Sequence, residues 1–311
     1  MTTTGAVQED VAVPGRKTRL RVLAGTLLRD PWAVAAAVVI VVFVLCAVFA
    51  DALTGITGND PYTYHQELLD DRGQPIGFGG GISADHWFGV EPLTGRDLFS
   101  IVVYGARISL FVGISATVLA VLLGTIVGVT SGFFGGWYDR VASRVVDVMF
   151  GFPTLVFLIA LMAVIPSDVP RLPFIALIIA LFTWPGISRI VRGQALALRE
   201  RNFVVASRAM GARPWRIALA QVLPNVATTI VVVASIIIPA MIATEAALSF
   251  LGVGVTPPTP SWGRTISEAI LWVRTSPMYL VFPAAALFLV TLAFNVFGDS
   301  LRDALDPRSR R

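Results

Sequence analysis

The chain has 311 residues, of which 55% are hydrophobic and only 14% charged, against about 25% charged in a soluble domain. That deficit excludes an ordinary soluble enzyme and places the chain in the bilayer. The net charge of +4 is almost wholly arginine, since Lys17 is the single lysine, and the single cysteine, Cys46, excludes a disulfide framework or a cysteine-based metal site within the chain.

Residues 1–15 are polar and aperiodic and read as a disordered tail. Residues 16–29, RKTRLRVLAGTLLR, read as a basic interfacial helix leading into the membrane. Apolar runs then follow at 32–50, 108–130, 145–165, 174–190, 226–248 and 278–297. Each approaches the ~20 residues that a helical span needs. The first resembles a signal sequence only in its Ala50-Asp51-Ala52 site; its apolar run is too long and too far from the start to be one. The fourth is the shortest, and Pro185 and Gly186 interrupt it.

Arginine sets the orientation, because loops rich in Lys and Arg stay on the cytoplasmic side. Arg16, Lys17, Arg19, Arg21 and Arg29 precede the first run, and Arg140 and Arg144 follow the second. Arg189, Arg192, Arg199, Arg201, Arg208, Arg213 and Arg216 follow the fourth, and Arg308, Arg310 and Arg311 end the chain. With six spans these segments share one side, so both termini are expected in the cytoplasm. The loop 52–106, with Asp60, Glu67, Asp70, Asp71, Asp85, Glu91 and Asp97, is expected outside, with the loops 166–173 and 251–277.

Between the fourth and fifth runs lies FVVASRAMGARPWRIALAQVLP, residues 203–224. Phe203, Ala206, Ser207 and Met210 follow helical spacing. Gly211 suits a helix end with positive φ, and Pro214 suits the first turn of a second helix. Trp215, Leu219 and Val222 give that helix an apolar face, and Pro224 is expected to stop it. Such a segment either lies on lipid headgroups or docks a cytoplasmic partner.

These residues resemble the EAA loop of bacterial ABC importer permeases, whose pattern is E-A-A, three residues, G, nine residues, then I-x-L-P. Here the triplet is Val205-Ala206-Ser207, the glycine is Gly211, and Gln221-Val222-Leu223-Pro224 ends it. Val205 stands where the family has Glu, and Gln221 where it has an apolar residue. Docking is then expected to rest on shape, the Gly211 turn and the arginines more than on a carboxylate. The resemblance covers nearly the whole chain. Trp87-Phe88-Gly89, Thr94-Gly95-Arg96-Asp97 and Gly105-Ala106-Arg107-Ile108-Ser109-Leu110 look like the entry to the second span of dipeptide and oligopeptide permeases. The stretches 132–140 (GFFGGWYDR), 245–252 (EAALSFLG) with PSWG at 260–263, and 298–307 (GDSLRDALDP) look like further segments of that family in the same order.

The chain is thus identified as a member of the dipeptide/oligopeptide ABC importer permeases, most like their "C" subunit. The resemblance implies an all-α polytopic membrane protein with six transmembrane helices and the type I ABC importer permease fold. It divides the chain into 1–30 (tail and interfacial helix), 31–107 (first span and outer loop), 108–298 (five-helix core with coupling loop 199–224) and 299–311 (tail). It implies a bacterial cytoplasmic membrane location and a second, homologous permease as partner. It also implies two ABC ATPase subunits or domains, an extracytoplasmic substrate-binding protein or lipoprotein, membrane lipid, and no nucleic acid. Val205, Ala206, Ser207, Arg208, Met210, Gly211, Ala212, Trp215, Leu223 and Pro224 would form the ATPase-coupling loop. The chain would be a non-catalytic subunit with no cofactor of its own. ATP and Mg would sit on the partner ATPases, in keeping with the absence of a G-x-x-x-x-G-K-[ST] loop.

Gly124, Gly128, Gly132 and Gly136 recur every four residues, a spacing that lets helices approach closely. The first three are expected to serve internal packing, or contact with the partner permease or a moving gate. Glu245, inside an apolar run, is expected to face the pathway or to reach water at the outer surface. A proton relay is the weaker reading, since no second buried acid or histidine is evident. Asp147 is expected to pair with Arg144 at i, i+3. His65 and His86 are loop histidines, too few and too separated for a metal. GFGGG at 77–81 is a turn without the lysine of a phosphate cradle, and 266–273 a short interfacial helix after a proline-rich turn. The long outer loop, by its position in the family, would meet the binding protein.

The competing class is an ion-coupled secondary transporter. It would need a repeat, intramembrane acids and broken helices, for which Pro185-Gly186 and Pro239 are the candidate breaks. Within the importer class the cargo stays open among dipeptides, oligopeptides, nickel chelates, opines and glutathione.

Overall fold

The structure, a computed structural model, describes residues 24–166 and 169–305. The N-terminal tail and most of the expected interfacial helix lie outside the described residues, although 24–29 is helical. Among the described residues there is no strand, only two isolated bridges within the loop before the longest helices.

The first span is α1 (Pro31–Val48), opened by Asp30, whose carboxylate accepts from Trp32 N at 3.0 Å. After a break at Phe49 the chain continues as the short α2 (Ala50–Thr57). A loop with one 3-10 turn at Gln66–Leu68 leads to α3 (Leu98–Phe134). Asp97 caps α3 by accepting from Ser100 N at 2.7 Å. At ~1.5 Å per residue the 37 residues of α3 reach ~55 Å, well past a ~30 Å hydrocarbon core. The apolar run alone understated this helix, because Arg107 separates the apolar stretch 98–103 from it.

The third run is not a straight helix. It is α4 (Gly136–Phe150) and α5 (Thr154–Val164), bent by 87° at Gly151–Pro153. Pro153 cannot donate to a helix and disfavours helical geometry at the residue before it, so the chain turns there. By contrast α6 (Arg171–Arg199) runs unbroken through Pro185 and Gly186, and α9 (Leu223–Phe250) through Pro239. The breaks expected of a secondary transporter are therefore absent at both places. Close packing of α6 against α3 holds its backbone across the proline. After α7 (Asn202–Ala209) and α8 (Pro214–Ile217), the chain passes through a π-helical turn (Ala218–Val222) into α9. Then come α10 (Trp262–Ala269), a 3-10 turn (Ile270–Trp272) and α11 (Pro277–Leu305).

Among the described residues, five helices or helix runs are long and apolar enough to cross a membrane, and six if the bent α4–α5 pair counts as one span. Three apolar clusters hold them. Ala47, Leu98, Ile101, Leu110, Ile242, Trp262, Tyr279 and Val290 join α1, α3, α9, α10 and α11 at the acidic-loop end. Val112, Leu158, Met162, Ile175, Ile179 and Leu248 join α3, α5, α6 and α9. Val129, Phe133, Ile187, Val191, Val204, Ile217 and Val222 close the arginine-rich end.

Candidate functional site

The segment 202–224 is a helical hairpin at the arginine-rich end. Gly211 N donates to Arg208 O at 2.9 Å and Ala212 N to Ser207 O at 3.0 Å, so α7 ends in a Schellman turn. That turn needs a left-handed residue, and Gly211 supplies φ +79°. A Cβ at Gly211 would meet nothing within 4 Å, so the requirement is conformational and not one of space. Pro214 then opens α8 at its first turn.

Pro224 does not stop this helix, contrary to the sequence expectation. It lies in the first turn of α9, and the helix runs on. Pro224 has no N–H for the Ala220 carbonyl, and its ring crowds that carbonyl. The chain widens instead into the π turn, where Leu223 N reaches back to Ala218 O.

The faces follow the periodic reading except at Ser207 and Val222, which turn inward. Val204, Ser207, Ile217, Ala218 and Val222 turn inward, where the apolar ones pack on Val129, Phe133, Val191 and Ala195. Phe203, Ala206, Met210, Trp215 and Leu219 turn outward. Met210 is 80% exposed and Trp215 58% exposed. Val205, Arg208, Arg213 and Arg216 are exposed beside them, and Ala212, Leu223 and Pro224 complete the loop. The hairpin grips the end of α3, with the Arg208 guanidinium 5.0 Å from the Phe133 ring and the Trp215 ring 4.5 Å from Phe134. Large apolar groups interleaved with arginine and left uncovered on the hairpin form a surface suited to another protein.

The glycine stripe is consumed within the chain. A Cβ at Gly124 would sit 2.7 Å from Ile187 Cβ, one at Gly128 2.8 Å from the Ser188 carbonyl, and one at Gly132 2.6 Å from the Arg192 carbonyl. The three glycines let α3 and α6 touch backbone to backbone. Gly136 falls outside this contact and begins α4.

Glu245 is fully enclosed and does not reach outer water. Ser109 on α3 donates to its Oε2 at 2.7 Å, and Ser249 and Ser261 to its Oε1 at 2.8 and 3.0 Å. It ties α3, α9 and the segment opening α10 together through these hydroxyls. Close by, Trp262 Nε1 donates to the Val102 carbonyl at 2.9 Å.

Residues 120–311 match the family described as binding-protein-dependent transport system inner membrane component. The chain belongs to that family. Residues 21–75 match a second family, the N-terminal TM domain of oligopeptide transport permease C. The chain is similar to the glutathione transport system permease protein GsiD of Pectobacterium atrosepticum, 38% identical over 281 residues, which cover 90% of this chain and 88% of that protein. The proteins of the same name from Escherichia coli O157:H7 and Shigella sonnei are each 38% identical over 280 residues, with the same coverage of both chains. It is thus an ABC importer permease of the peptide class, an all-α multi-pass protein of the inner membrane.

Some residues of the permease escaped the sequence reading. Arg96 clamps Glu91 with two hydrogen bonds, at 2.6 and 2.9 Å, and the Tyr279 hydroxyl donates to Glu91 at 2.5 Å. Thr94 also donates to Glu91, and Arg96 reaches the Pro258 carbonyl at 3.3 Å. Burial pushes the Glu91 carboxyl up, but the Arg96 guanidinium outweighs it and holds the group below its ordinary value. Glu268 lies 3.2 Å from the Tyr279 hydroxyl and takes Arg264 at 2.7 Å. A pair five apart in a loop carries no periodicity, so nothing in the spacing signalled it.

Asp147 pairs with Arg189 at 2.9 Å and not with Arg144. One face of α4 presents Asp139 and Asp147 to α6, where Arg192 grips Asp139 at 2.5 and 2.7 Å. Arg140 and Arg144 line the opposite, apolar face. The two histidines are adjacent in space, with ring centroids 5.2 Å apart, and each bonds a carboxylate, His65 to Glu67 and His86 to Asp97. Among the described residues no cluster of three His, Cys, Asp or Glu could hold a metal.

Proposed function

We propose that this permease forms half of the translocation pathway of an ATP-driven importer of short peptides, glutathione among them, and that the hairpin 202–224 seats on an ATPase subunit. One observation carries the reading: the hairpin at the arginine-rich end leaves Phe203, Met210, Trp215 and Leu219 uncovered among Arg208, Arg213 and Arg216. An apolar patch so placed calls for a protein partner, and the positive-inside rule puts that end, with both termini, in the cytoplasm. The second permease subunit would complete the pathway, a binding protein would dock on the acidic outer loop, and the partner ATPases would hold ATP and Mg. Closure of the ATPases would move the hairpin, and α9, continuous with it, would carry that motion across the bilayer. The peptide cargo is supported by relatives named for glutathione transport and by the oligopeptide permease match over 21–75.

The test is purification of the tagged chain with its operon partners, followed by uptake into proteoliposomes. A second permease and an ATPase should co-purify, and Met210→Asp should release the ATPase while the permease pair stays intact. Radiolabelled glutathione and alanyl-alanine should enter only with ATP inside the membrane-enclosed compartment that holds the ATPases. Uptake without ATP would overturn the importer reading. ATP-driven uptake of a nickel chelate, with neither peptide accepted, would overturn the cargo alone.

A further inference from the structure

The two limbs of the hairpin are joined by one side-chain bond. Gln221 Nε2, in the π turn, donates to Ser207 Oγ on α7 at 2.7 Å, and the Ser207 hydroxyl donates on to the Phe203 carbonyl at 2.9 Å. The partners are 14 residues apart and lie on opposite sides of the Gly211 turn. Few other links cross the turn, since α7 and α8 touch little. Ser207 is buried, with Val204 one turn before it on the same inner face.

The π turn is what allows the bond. Widening of the helix at Ala218–Val222 offsets Gln221 from the regular helical register, and its amide meets α7. Asn225 Nδ2 donates to the Gln221 carbonyl at 2.6 Å and so holds the turn from the α9 side. The bond adds little to stability. Burying a polar pair yields about as much as an apolar pair of the same shape. Gln221 Oε1 is also buried with no partner among the described residues, a cost that an apolar side chain would not carry. What the bond does supply is direction: one donor and one acceptor fix how α7 lies against the start of α9.

We propose that Ser207 and Gln221 are positioning residues, a clasp that makes α7, the turn and the root of α9 move as one body, so that displacement of the docked hairpin reaches the span undiminished. Both stand where the EAA pattern has apolar residues, so the clasp replaces side-chain packing with a directed bond. The inference rests on the coupling role proposed above.

The test uses the complete transporter in nanodiscs, with Cys46→Ser as background and spin labels at Ala209→Cys on α7 and Ala227→Cys at the root of α9, both exposed. The clasped hairpin should give one narrow distance distribution, the same in the nucleotide-free and vanadate-trapped states. Gln221→Met and Ser207→Ala should each broaden it. Each should also lower ATP hydrolysis stimulated by the binding protein about fivefold, the weight of one neutral hydrogen bond. The double variant should fall no further than either single one, and Ser207→Thr, which keeps the hydroxyl, should restore both readouts. Unchanged distributions in the single variants, or losses that add in the double, would overturn the clasp. If Gln221→Met fails to assemble, Ser207→Ala decides, since it removes one oxygen. An unmodified complex whose ATP hydrolysis ignores the binding protein counts against the importer reading instead, and the distance distributions still judge the clasp.

Discussion

The two ends of this permease treat polar and apolar groups in opposite ways. At the acidic-loop end Glu91, Arg96, Tyr279 and Glu245 are turned inward, and each is satisfied within the chain. At the arginine-rich end Phe203, Met210, Trp215 and Leu219 are turned outward and left uncovered. Burying charge is costly unless it is paired, and exposing large apolar groups in water is costly unless they are covered. The first end meets its cost alone and is self-contained. The second leaves an apolar surface uncovered, which the ATPase contact proposed above would cover.

The sharpest way to break this contrast is Arg96→Gln. It strands a buried carboxylate, and removal of one partner of a buried pair costs about 3–5 kcal/mol. The thermal unfolding midpoint of the purified protein should fall accordingly. The sign of the pH dependence follows from Glu91, whose carboxyl is held below its ordinary 4.5. The pair's contribution is present in full above that value and fades as pH drops through the lowered pKa. The variant and the unmodified curve should therefore converge in acid and separate near neutrality.

Next in size is Glu245→Leu. It removes the common acceptor of three buried hydroxyls and should cost about 1–3 kcal/mol in the same unfolding assay. Glu245→Gln, which keeps an acceptor, should cost less. A variant as stable as the parent would mean that Glu245 serves something other than packing.

Gly211→Pro moves to the other end. Proline cannot take φ +79° and has no N–H for the Arg208 carbonyl, so the Schellman turn is lost. Protein levels in the membrane should stay near normal, while ATP hydrolysis and uptake come apart in proteoliposomes. Normal transport would sink the coupling role. The smallest stability effect belongs to Met210→Asp, which should lie within about 0.5 kcal/mol of the parent because the site is exposed. A loss as large as that of Arg96→Gln would mean that the hairpin surface is packed within the chain, and the contrast between the ends would fail.

Several features were legible in the residues, and the misses share a cause. The Gly211 turn, the Pro214 start and the small-residue stripe at Gly124, Gly128 and Gly132 each follow from local chemistry. The course of 203–224 was legible too, but its inner and outer faces were not. Periodicity shows that Phe203, Met210 and Trp215 occupy chosen positions; it does not show whether an apolar stripe meets the core or a partner. Pro224 was misread as a stop because a π turn that absorbs a proline leaves no mark in composition. Pro153 bends its helix while Pro185 and Pro239 do not, since neighbouring packing decides whether a freed carbonyl is tolerated. Asp147 chose Arg189 on another helix over Arg144 on its own for the same reason.

By itself, then, the sequence determined that the chain lives in a bilayer, which end carries arginine, and that an ordered amphipathic hairpin interrupts the spans. These are sums over local properties: hydropathy, charge and the conformational freedom of single residues. Only the tertiary structure decided which apolar groups are spent inside and which are left over, which carboxylate meets which guanidinium, and that Gln221 reaches Ser207 across the turn. Those depend on directions in space between residues far apart in the chain, and no local pattern encodes them.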